Sequence, residues 1–354
     1  MALTPRQAAT LELHRRLDEV LVPGLTRRFI SGYQTTHPFI QCYLKEVAGK
    51  NGCATELGGY SFAQDQITLI EAIRKFHQYA DDIDYAPDQI LLSAGSSPLL
   101  LVLMLFLRRN AIRSLYYFRP IYHAFYFFAD LLDVSLLPAC DHLLLDTESS
   151  LTLPDGQHVL LFSDPVWIAG RAVDDGVIAA VRRWQKRTAS IVFVDGTFQY
   201  LKWDRPASRE RSTQLDREQT IRLICPTKSL ALHGIRFAYL LGPARLLDGL
   251  RWVCDNATGS ASTFDLHAAA RLMDVLSTPD GNRHLVEHIR DRYSDLRASN
   301  FIARTAYEPD CGYYVLGKVG RSEKTDLVMD GNYFELSGYD DFVRINLLSP
   351  DITA

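Results

Sequence analysis

The stretch LICPTKSLALHGIRFAYLLGP, residues 223–243, decides the fold, and it holds a single lysine among small and apolar residues. Lys228 follows a short apolar run, and Leu230, Ala231 and Leu232 come shortly after it. Burial in such surroundings favours the neutral form of a lysine, and a neutral amine is a nucleophile that forms a Schiff base with an aldehyde. The same pattern also fits a lysine whose stem is buried while its amine reaches solvent.

The composition is that of a globular protein and argues against two classes of partner. The 354 residues can form one large domain and a smaller one, and 47% are hydrophobic. A net charge of −4 gives no electrostatic basis for binding nucleic acid or an anionic membrane. The most apolar run, residues 98–107, is shorter than the roughly 20 residues that cross a bilayer. We therefore expect no nucleic-acid partner and no membrane association.

The first residues and the cysteines indicate a cytoplasmic protein. MALTPRQAATLELHRRLDEV, residues 1–20, has the pattern of an amphipathic helix and lacks the uninterrupted apolar core of a signal peptide. The six cysteines form no CxxC pair and no metal-ligand spacing. Reduced thiols in the cytoplasm, with no metal site, are the expected arrangement.

A Gly-Ser-Ser turn between a predicted strand and a predicted buried helix suggests an anion site in residues 89–110. Gly95 lets the backbone approach a ligand closely, and Ser96 and Ser97 begin the helix with free N–H groups. Such a helix N-terminus favours phosphate through its dipole and its unpaired donors. Serine is also a common helix cap, so the turn by itself does not identify a ligand.

An acidic residue ends the most continuous apolar strand, which lies in residues 190–195. Apolar runs without polar alternation are typical of parallel strands in a sheet that is covered on both faces. Asp195 would then lie at the carboxyl end of its strand, where open α/β sheets bind ligands. A helix or turn cap is the alternative role for this residue.

In this order the segments resemble the pyridoxal-phosphate-dependent aminotransferases of fold type I, class I and II. Their lysine segment is commonly written S-x-S-K-x-x-x-x-x-G-x-R, and Lys228, Gly234 and Arg236 match its last three fixed positions. The resemblance implies that Lys228 carries pyridoxal 5'-phosphate as a Schiff base. It also implies that Asp195 pairs with the protonated pyridine nitrogen and that Arg236 holds the phosphate.

The resemblance assigns further roles along the chain. Gly95, Ser96, Ser97 and Thr227 would complete the phosphate site. Tyr122, in the segment Pro120-Ile121-Tyr122, would stack on the pyridine ring, or else belong to the core. Tyr60 would reach the phosphate of the partner subunit, unless it is a plain turn tyrosine. Arg344 would grip the α-carboxylate of an amino acid in a bidentate pair, although a strand arginine near the chain end is otherwise usually a surface charge.

Three of the departures from the family pattern concern contacts with the cofactor. The loop N-P-x-N-P-T-G becomes residues 164–170, where Trp167 replaces the second asparagine, a donor to the phenolic oxygen of the cofactor. Phe198 replaces the tyrosine of D-x-x-Y, a second donor to that oxygen, and Cys225 replaces a serine near the phosphate. Trp167 could donate through its indole N–H or narrow the substrate pocket. We expect it to contact cofactor and substrate.

The family implies an α/β fold in which helices sandwich a mostly parallel sheet of the seven-stranded type. Residues 46–275 would form the large cofactor-binding domain, and 1–45 with 276–354 a smaller α+β domain. Members are homodimers with shared active sites, and we expect the same here.

The favoured function is an aminotransferase of specialised biosynthesis that acts on an amino acid through Lys228. The alternatives are elimination, cyclisation, decarboxylation or oxidation of an amino acid on the same scaffold, or a non-catalytic protein. The catalytic residues would be Lys228, Asp195 and Tyr122.

Overall fold

The computed structural model describes residues 66–140, 151–204, 209–320, 339 and 341–349. Tyr60 and the predicted N-terminal part of the small domain, residues 1–45, lie outside them.

Strands and helices alternate through most of the described chain. The strands are β1 (Ile90–Ser93), β2 (Ser114–Tyr117), β3 (Ser135–Pro138), β4 (Val159–Ser163), β5 (Ile191–Gly196), β6 (Thr220–Ile224), β7 (Ala238–Leu241), β8 (Ile302–Thr305), β9 (Tyr314–Val319) and β10 (Val343–Asn346). The helices are α1 (Ile67–Asp81), α2 (Ser96–Arg109), α3 (His123–Leu131), α4 (Asp175–Thr188), α5 (Pro226–Ser229), α6 (Ala244–Ala257), α7 (Thr263–Leu276) and α8 (Arg283–Ala298). Short 3-10 helices occur at Pro87–Gln89, Arg211–Gln214 and Arg217–Gln219.

Seven strands form one central sheet in the order β1-β7-β6-β5-β4-β2-β3. Strands β2 to β6 pair in parallel, whereas β7 is antiparallel to both β1 and β6. Apolar clusters cover both faces: Val192 and Val194 of β5 belong to one cluster, and Phe193 belongs to the other. The predicted mostly parallel sheet, sandwiched by helices, is therefore confirmed.

A second sheet is small and antiparallel, in the order β10-β9-β8. It lies within the predicted small domain and carries Arg344 on β10. The predicted boundary at residue 275 stays a prediction. No described helix is long and apolar enough to cross a membrane.

Polar residues begin one helix and end another. Asp174 caps α4, because its Oδ1 accepts a hydrogen bond of 2.8 Å from the backbone N–H of Gly176. Cys254 and the three residues after it form the last turn of α6, which is an amphipathic helix.

A buried polar cluster joins α1 to β6, the strand that leads to Lys228. Arg222 Nη1 donates to Asp81 Oδ2 at 3.0 Å, and Tyr200 donates to the same oxygen at 2.7 Å. His77 Nδ1 lies 2.9 Å from that oxygen, and its Nε2 lies 2.8 Å from the Tyr239 hydroxyl. Burial alone would raise the pKa of Asp81, but Arg222, His77 and Tyr200 outweigh it and hold that pKa below its usual value.

Candidate active site

Lys228 and Asp195 lie at the same edge of the central sheet. Lys228 belongs to α5, which begins two residues after β6 ends, and Asp195 is the second-last residue of β5. The two strands are parallel neighbours in which Asp195 pairs with Leu223. Their carboxyl ends therefore open on one crevice, which is the usual ligand site of such sheets.

The amine of Lys228 is held closer to its neutral form than that of an exposed lysine. Burial lowers its pKa, nearby Cys225 opposes this, and the positive charges of Arg236 and Arg344 lower it further. The structure thus brings Arg344, which is distant in sequence, within electrostatic reach of Lys228, as is Arg236 of the lysine segment itself. Arg236 is solvent-exposed, whereas Arg344 is buried.

Asp195 is 6% exposed and lies at the crevice as a nearly buried acid. Its Oδ1 accepts hydrogen bonds from the backbone N–H of Thr197 at 3.2 Å and from the Thr197 hydroxyl at 2.6 Å. Burial raises the pKa of the carboxyl, and the two Thr197 hydrogen bonds partly offset this. A protonated ring nitrogen beside the carboxylate would favour its charged form.

The predicted phosphate turn lies directly against Arg236. Gly95 has φ 109°, and a Cβ there would meet Arg236 Nη2 at 2.9 Å. Ser96 and Ser97 are the first two residues of α2, so their N–H groups belong to the free end of the helix. Thr227 is buried, and its Oγ1 lies 3.4 Å from Cys225 Sγ. A glycine turn, a helix N-terminus and a guanidinium together can bind a phosphate.

Gly95→Ala should weaken cofactor binding by at least about tenfold, because the new methyl group would displace a guanidinium worth a charge-assisted hydrogen bond. Titration of the cofactor-free protein with pyridoxal phosphate measures this. Gly156→Ala is the matched control, since Gly156 also has a positive φ, of 82°, but a Cβ there meets its nearest neighbour at an ordinary 3.7 Å. Equal affinities of the two variants would contradict a phosphate site at Gly95.

Aromatic rings form one wall of the site around Trp167. Its ring centroid lies 6.0 Å from that of Tyr122, the predicted stacking residue, and 6.0 Å from that of Tyr314. The ring of Phe198 lies 5.5 Å from Tyr314. Trp167 and Phe198, which replace the family's donors to the phenolic oxygen, therefore pack against one common tyrosine.

Arg344 extends over this aromatic wall. Its guanidinium carbon lies 4.5 Å from the ring centroid of Tyr314 and 4.9 Å from that of Trp167. Stacking on two rings fixes the plane of a guanidinium, which favours bidentate recognition of a carboxylate. The predicted pairing of Arg344 and Trp167 at a substrate site has a geometric basis here.

Asp164 occupies the position of the first asparagine in the family loop, and it binds two backbone segments in the protein interior. It is fully buried, and its Oδ1 and Oδ2 accept backbone N–H bonds from Val173 at 3.1 Å and Ser212 at 3.2 Å. Burial raises the pKa of its carboxyl, and these hydrogen bonds partly offset the rise.

The sequence reading did not identify Tyr313, Tyr314 and His233 as site residues. The segment CGYYVLG, residues 311–317, carries paired tyrosines in an otherwise apolar run, and this pairing is a usable signal for the two tyrosines. His233 lies inside the lysine segment itself, between the positions that the family fixes.

The described residues fit pyridoxal phosphate on three counts. A nearly buried acid is available for the ring nitrogen, a lysine with a lowered pKa for the aldehyde, and a glycine turn against Arg236 for the phosphate. The role of each residue remains a prediction.

Comparison with known proteins agrees with this geometry. The family model for aminotransferase class I and II matches residues 40–350. Among solved structures, the chain is similar to aspartate aminotransferase from Thermotoga maritima, with a TM-score of 0.76, 15% identity, and 98% of this chain and 95% of that chain covered. It is also similar to YbdL from Escherichia coli, which has a methionine aminotransferase function (TM-score 0.73, 14% identity, 98% and 96% covered).

A third similar structure is N-succinyldiaminopimelate aminotransferase from Mycobacterium tuberculosis (TM-score 0.73, 16% identity, 99% and 96% covered). Among curated proteins, none matches the chain. At these identities the structural likeness shows the fold alone, and the family model, which spans most of the chain, shows the family. The chain belongs to the aminotransferase class I and II family and is an enzyme of the pyridoxal-phosphate-dependent aminotransferase type.

Proposed function

We propose that the chain moves an amino group from an amino acid to a keto acid, with pyridoxal phosphate bound at Lys228. The observation that supports this best is the convergence of Lys228, Arg236 and Arg344 at the sheet edge where Asp195 ends β5. An amine, a phosphate-binding guanidinium, a carboxylate-binding guanidinium and an acid are the groups that such a reaction requires.

The bound cofactor would supply an aldehyde for the amine and a ring that withdraws electrons from the substrate Cα. Lys228 would hold the cofactor and, once the substrate amine has displaced it, would act as a neutral amine that takes the proton from the substrate Cα. Thr197 makes both of its hydrogen bonds to Oδ1 of Asp195, so Oδ2 would be the oxygen available to a protonated ring nitrogen. Arg236 and the Gly95 turn fix the phosphate, and Tyr122 with Trp167 fixes the ring plane. Arg344 orients the amino acid by its α-carboxylate.

The assembly, location and pathway belong to the same proposal. A homodimer with shared sites is supported by apolar side chains that a partner would cover, such as Ile67 and Phe264, which are 73% and 60% exposed. A cytoplasmic location is supported by the four described cysteines, all buried and without disulfides. A role in specialised biosynthesis is supported by Trp167 and Phe198, because the loss of the family's two donors to the phenolic oxygen favours an unusual amino-acid substrate.

An amino-donor screen tests the function. The purified protein, supplied with pyridoxal phosphate, should turn yellow, and borohydride should abolish the absorbance band by reducing the link to Lys228. With at least one amino acid and no keto acid, mass spectrometry should detect pyridoxamine phosphate and the matching keto acid. If no donor in a broad panel yields pyridoxamine phosphate, transamination is not the reaction.

A sister reaction is the second candidate, and Trp167 with Phe198 is the observation that favours it. Both are buried where the family has donors to the phenolic oxygen of the cofactor. Without those donors, the imine nitrogen would hold its proton more tightly, which alters the reactivity of the cofactor. Elimination, cyclisation, decarboxylation or oxidation would consume the amino acid in the same screen without forming pyridoxamine phosphate.

A further inference from the structure

His233 connects the lysine segment to the small sheet. It follows Lys228 by five residues, at a position that the family pattern leaves open. Its Nε2 lies 3.3 Å from the hydroxyl of Tyr313, the residue before β9, and the ring centroids are 6.1 Å apart. Its carbonyl oxygen accepts a hydrogen bond of 3.3 Å from Arg236 Nη1. The Tyr313 hydroxyl therefore positions the imidazole at Nε2, and the backbone of His233 is linked to Arg236.

The imidazole of His233 is uncharged. Burial, the charge of Lys228 and the charge of Arg236 lower its pKa to about 2. A neutral imidazole has one N–H donor and one lone-pair acceptor. If Nε2 donates to the Tyr313 hydroxyl, Nδ1 is an acceptor, and if Nε2 accepts from that hydroxyl, Nδ1 is a donor.

A comparison with His77 shows that His233 differs from a satisfied core histidine. Both ring nitrogens of His77 are within 2.9 Å of a partner, namely Asp81 and Tyr239. Nδ1 of His233 is buried as well, yet it has no hydrogen-bond partner among the described residues. A buried polar atom without a partner is costly, and that cost disappears when a bound ligand provides one.

We propose, on the basis of the proposed function, that His233 determines substrate specificity by hydrogen bonding through Nδ1 to an uncharged polar group on the side chain of the amino-acid substrate. The substrate class is then an amino acid with a hydroxyl, amide, phenol or comparable side chain. The ring nitrogen and the phosphate of the cofactor would have partners in Asp195, Arg236 and the Gly95 turn. Its phenolic oxygen would lie beside Trp167 and Phe198, which occupy the positions of the family's donors, so the substrate side chain is the ligand group left for Nδ1.

The charges around His233 explain why the side chain of the substrate should be uncharged. Lys228 and Arg236 place positive charge near His233, and among the described residues no acid contributes to its shifted pKa. A cationic side chain is therefore repelled. An anionic one finds no spare cation among Lys228, Arg236 and Arg344, because these would already serve the aldehyde, the phosphate and the α-carboxylate. An aliphatic one would leave Nδ1 buried and unpaired, which a specific site rejects strongly.

Matched pairs of amino acids of nearly equal shape test the proposal. They are threonine and valine, tyrosine and phenylalanine, and asparagine and leucine, each assayed for kcat/KM in the cofactor-loaded wild type. In at least one pair the polar member should be preferred by about tenfold or more. In His233→Ala this ratio should fall toward one, and His233→Gln, which keeps a hydrogen-bonding group, should retain part of it.

Two further variants serve as controls. Tyr313→Phe removes only the hydroxyl that holds Nε2, so it should reduce the ratio without abolishing it. His284→Ala removes an exposed histidine of α8 and should leave the ratio unchanged. A purely structural role of His233 would lower kcat/KM for both members of a pair equally, and an unchanged ratio in His233→Ala would overturn the proposal.

Binding measurements separate this proposal from the proposed function. Dissociation constants for the same pairs can be obtained from the absorbance change of the cofactor, whether or not the amino group is transferred. A polar preference that depends on His233, without pyridoxamine phosphate, would refute only the transamination. A preference for the apolar members, which are valine, phenylalanine and leucine, would refute the role of His233. The role would also be refuted if His233→Ala bound pyridoxal phosphate more weakly while the preference for the polar member of each pair stayed the same. That result would mean that Nδ1 contacts the cofactor.

Discussion

Lys228→Ala should abolish covalent capture of pyridoxal phosphate and lower amino-group transfer by at least about a thousandfold, the upper range for loss of a positioned acid–base group. The lowered pKa of this amine, caused by burial, Arg236 and Arg344 against the opposing Cys225, makes it the described lysine best suited to react. Borohydride reduction followed by mass spectrometry measures the covalent product, and the donor found in the screen measures the rate.

Lys186→Ala is the matched control for this variant, since Lys186 lies exposed in the last turn of α4. It should retain both the covalent product and the activity. An undiminished covalent product in Lys228→Ala would mean that another lysine carries the cofactor, and the roles of Asp195, Arg236 and Arg344 would then need reassignment.

Asp81→Ala should lower the free energy of unfolding by about 3–5 kcal/mol, because it leaves Arg222 buried without its acidic partner. The side chains of Asp81 and Arg222 are 0% and 4% exposed, so water cannot replace the lost interaction. Tyr200 and His77 lose an acceptor in the same variant. Urea unfolding of the cofactor-free protein, followed by circular dichroism, measures the difference.

The next residue in the chain provides the control. Asp82 pairs with Arg209, but both side chains are more than 60% exposed, so Asp82→Ala should cost less than about 1 kcal/mol. Because the pKa of Asp81 is depressed in the folded protein, its stabilising effect is present above the ordinary value of 3.8 and declines as the pH falls below it. A stability difference between Asp81→Ala and the wild type that stays constant down to pH 2 would contradict this assignment.

The sequence predicts the site residues that lie at the ends of short apolar strands. Lys228, Asp195 and the Gly95 turn could be placed because each follows a short apolar strand, and strand ends meet at one edge of a parallel sheet. The polar partners of His233 and Arg222 could not be placed in this way. Tyr313 is 80 residues from His233, and Asp81 is 141 residues from Arg222. Only the folded chain brings such partners together, so sequence periodicity carries no signal for them.

The reversed direction of β7 has a consequence for the lysine segment. Because β7 is antiparallel to β1 and β6, its first residue lies beside the last residues of both neighbours, as the pairing of Ala238 with Ser93 shows. The short connection from β6 to β7 can therefore place the amine of Lys228 and the guanidinium of Arg236 at the same edge of the sheet. The number of residues from Lys228 to Arg236 thus fixes the distance between the amine and the guanidinium. An added or deleted residue within this span would move one of the two groups away from its ligand atom.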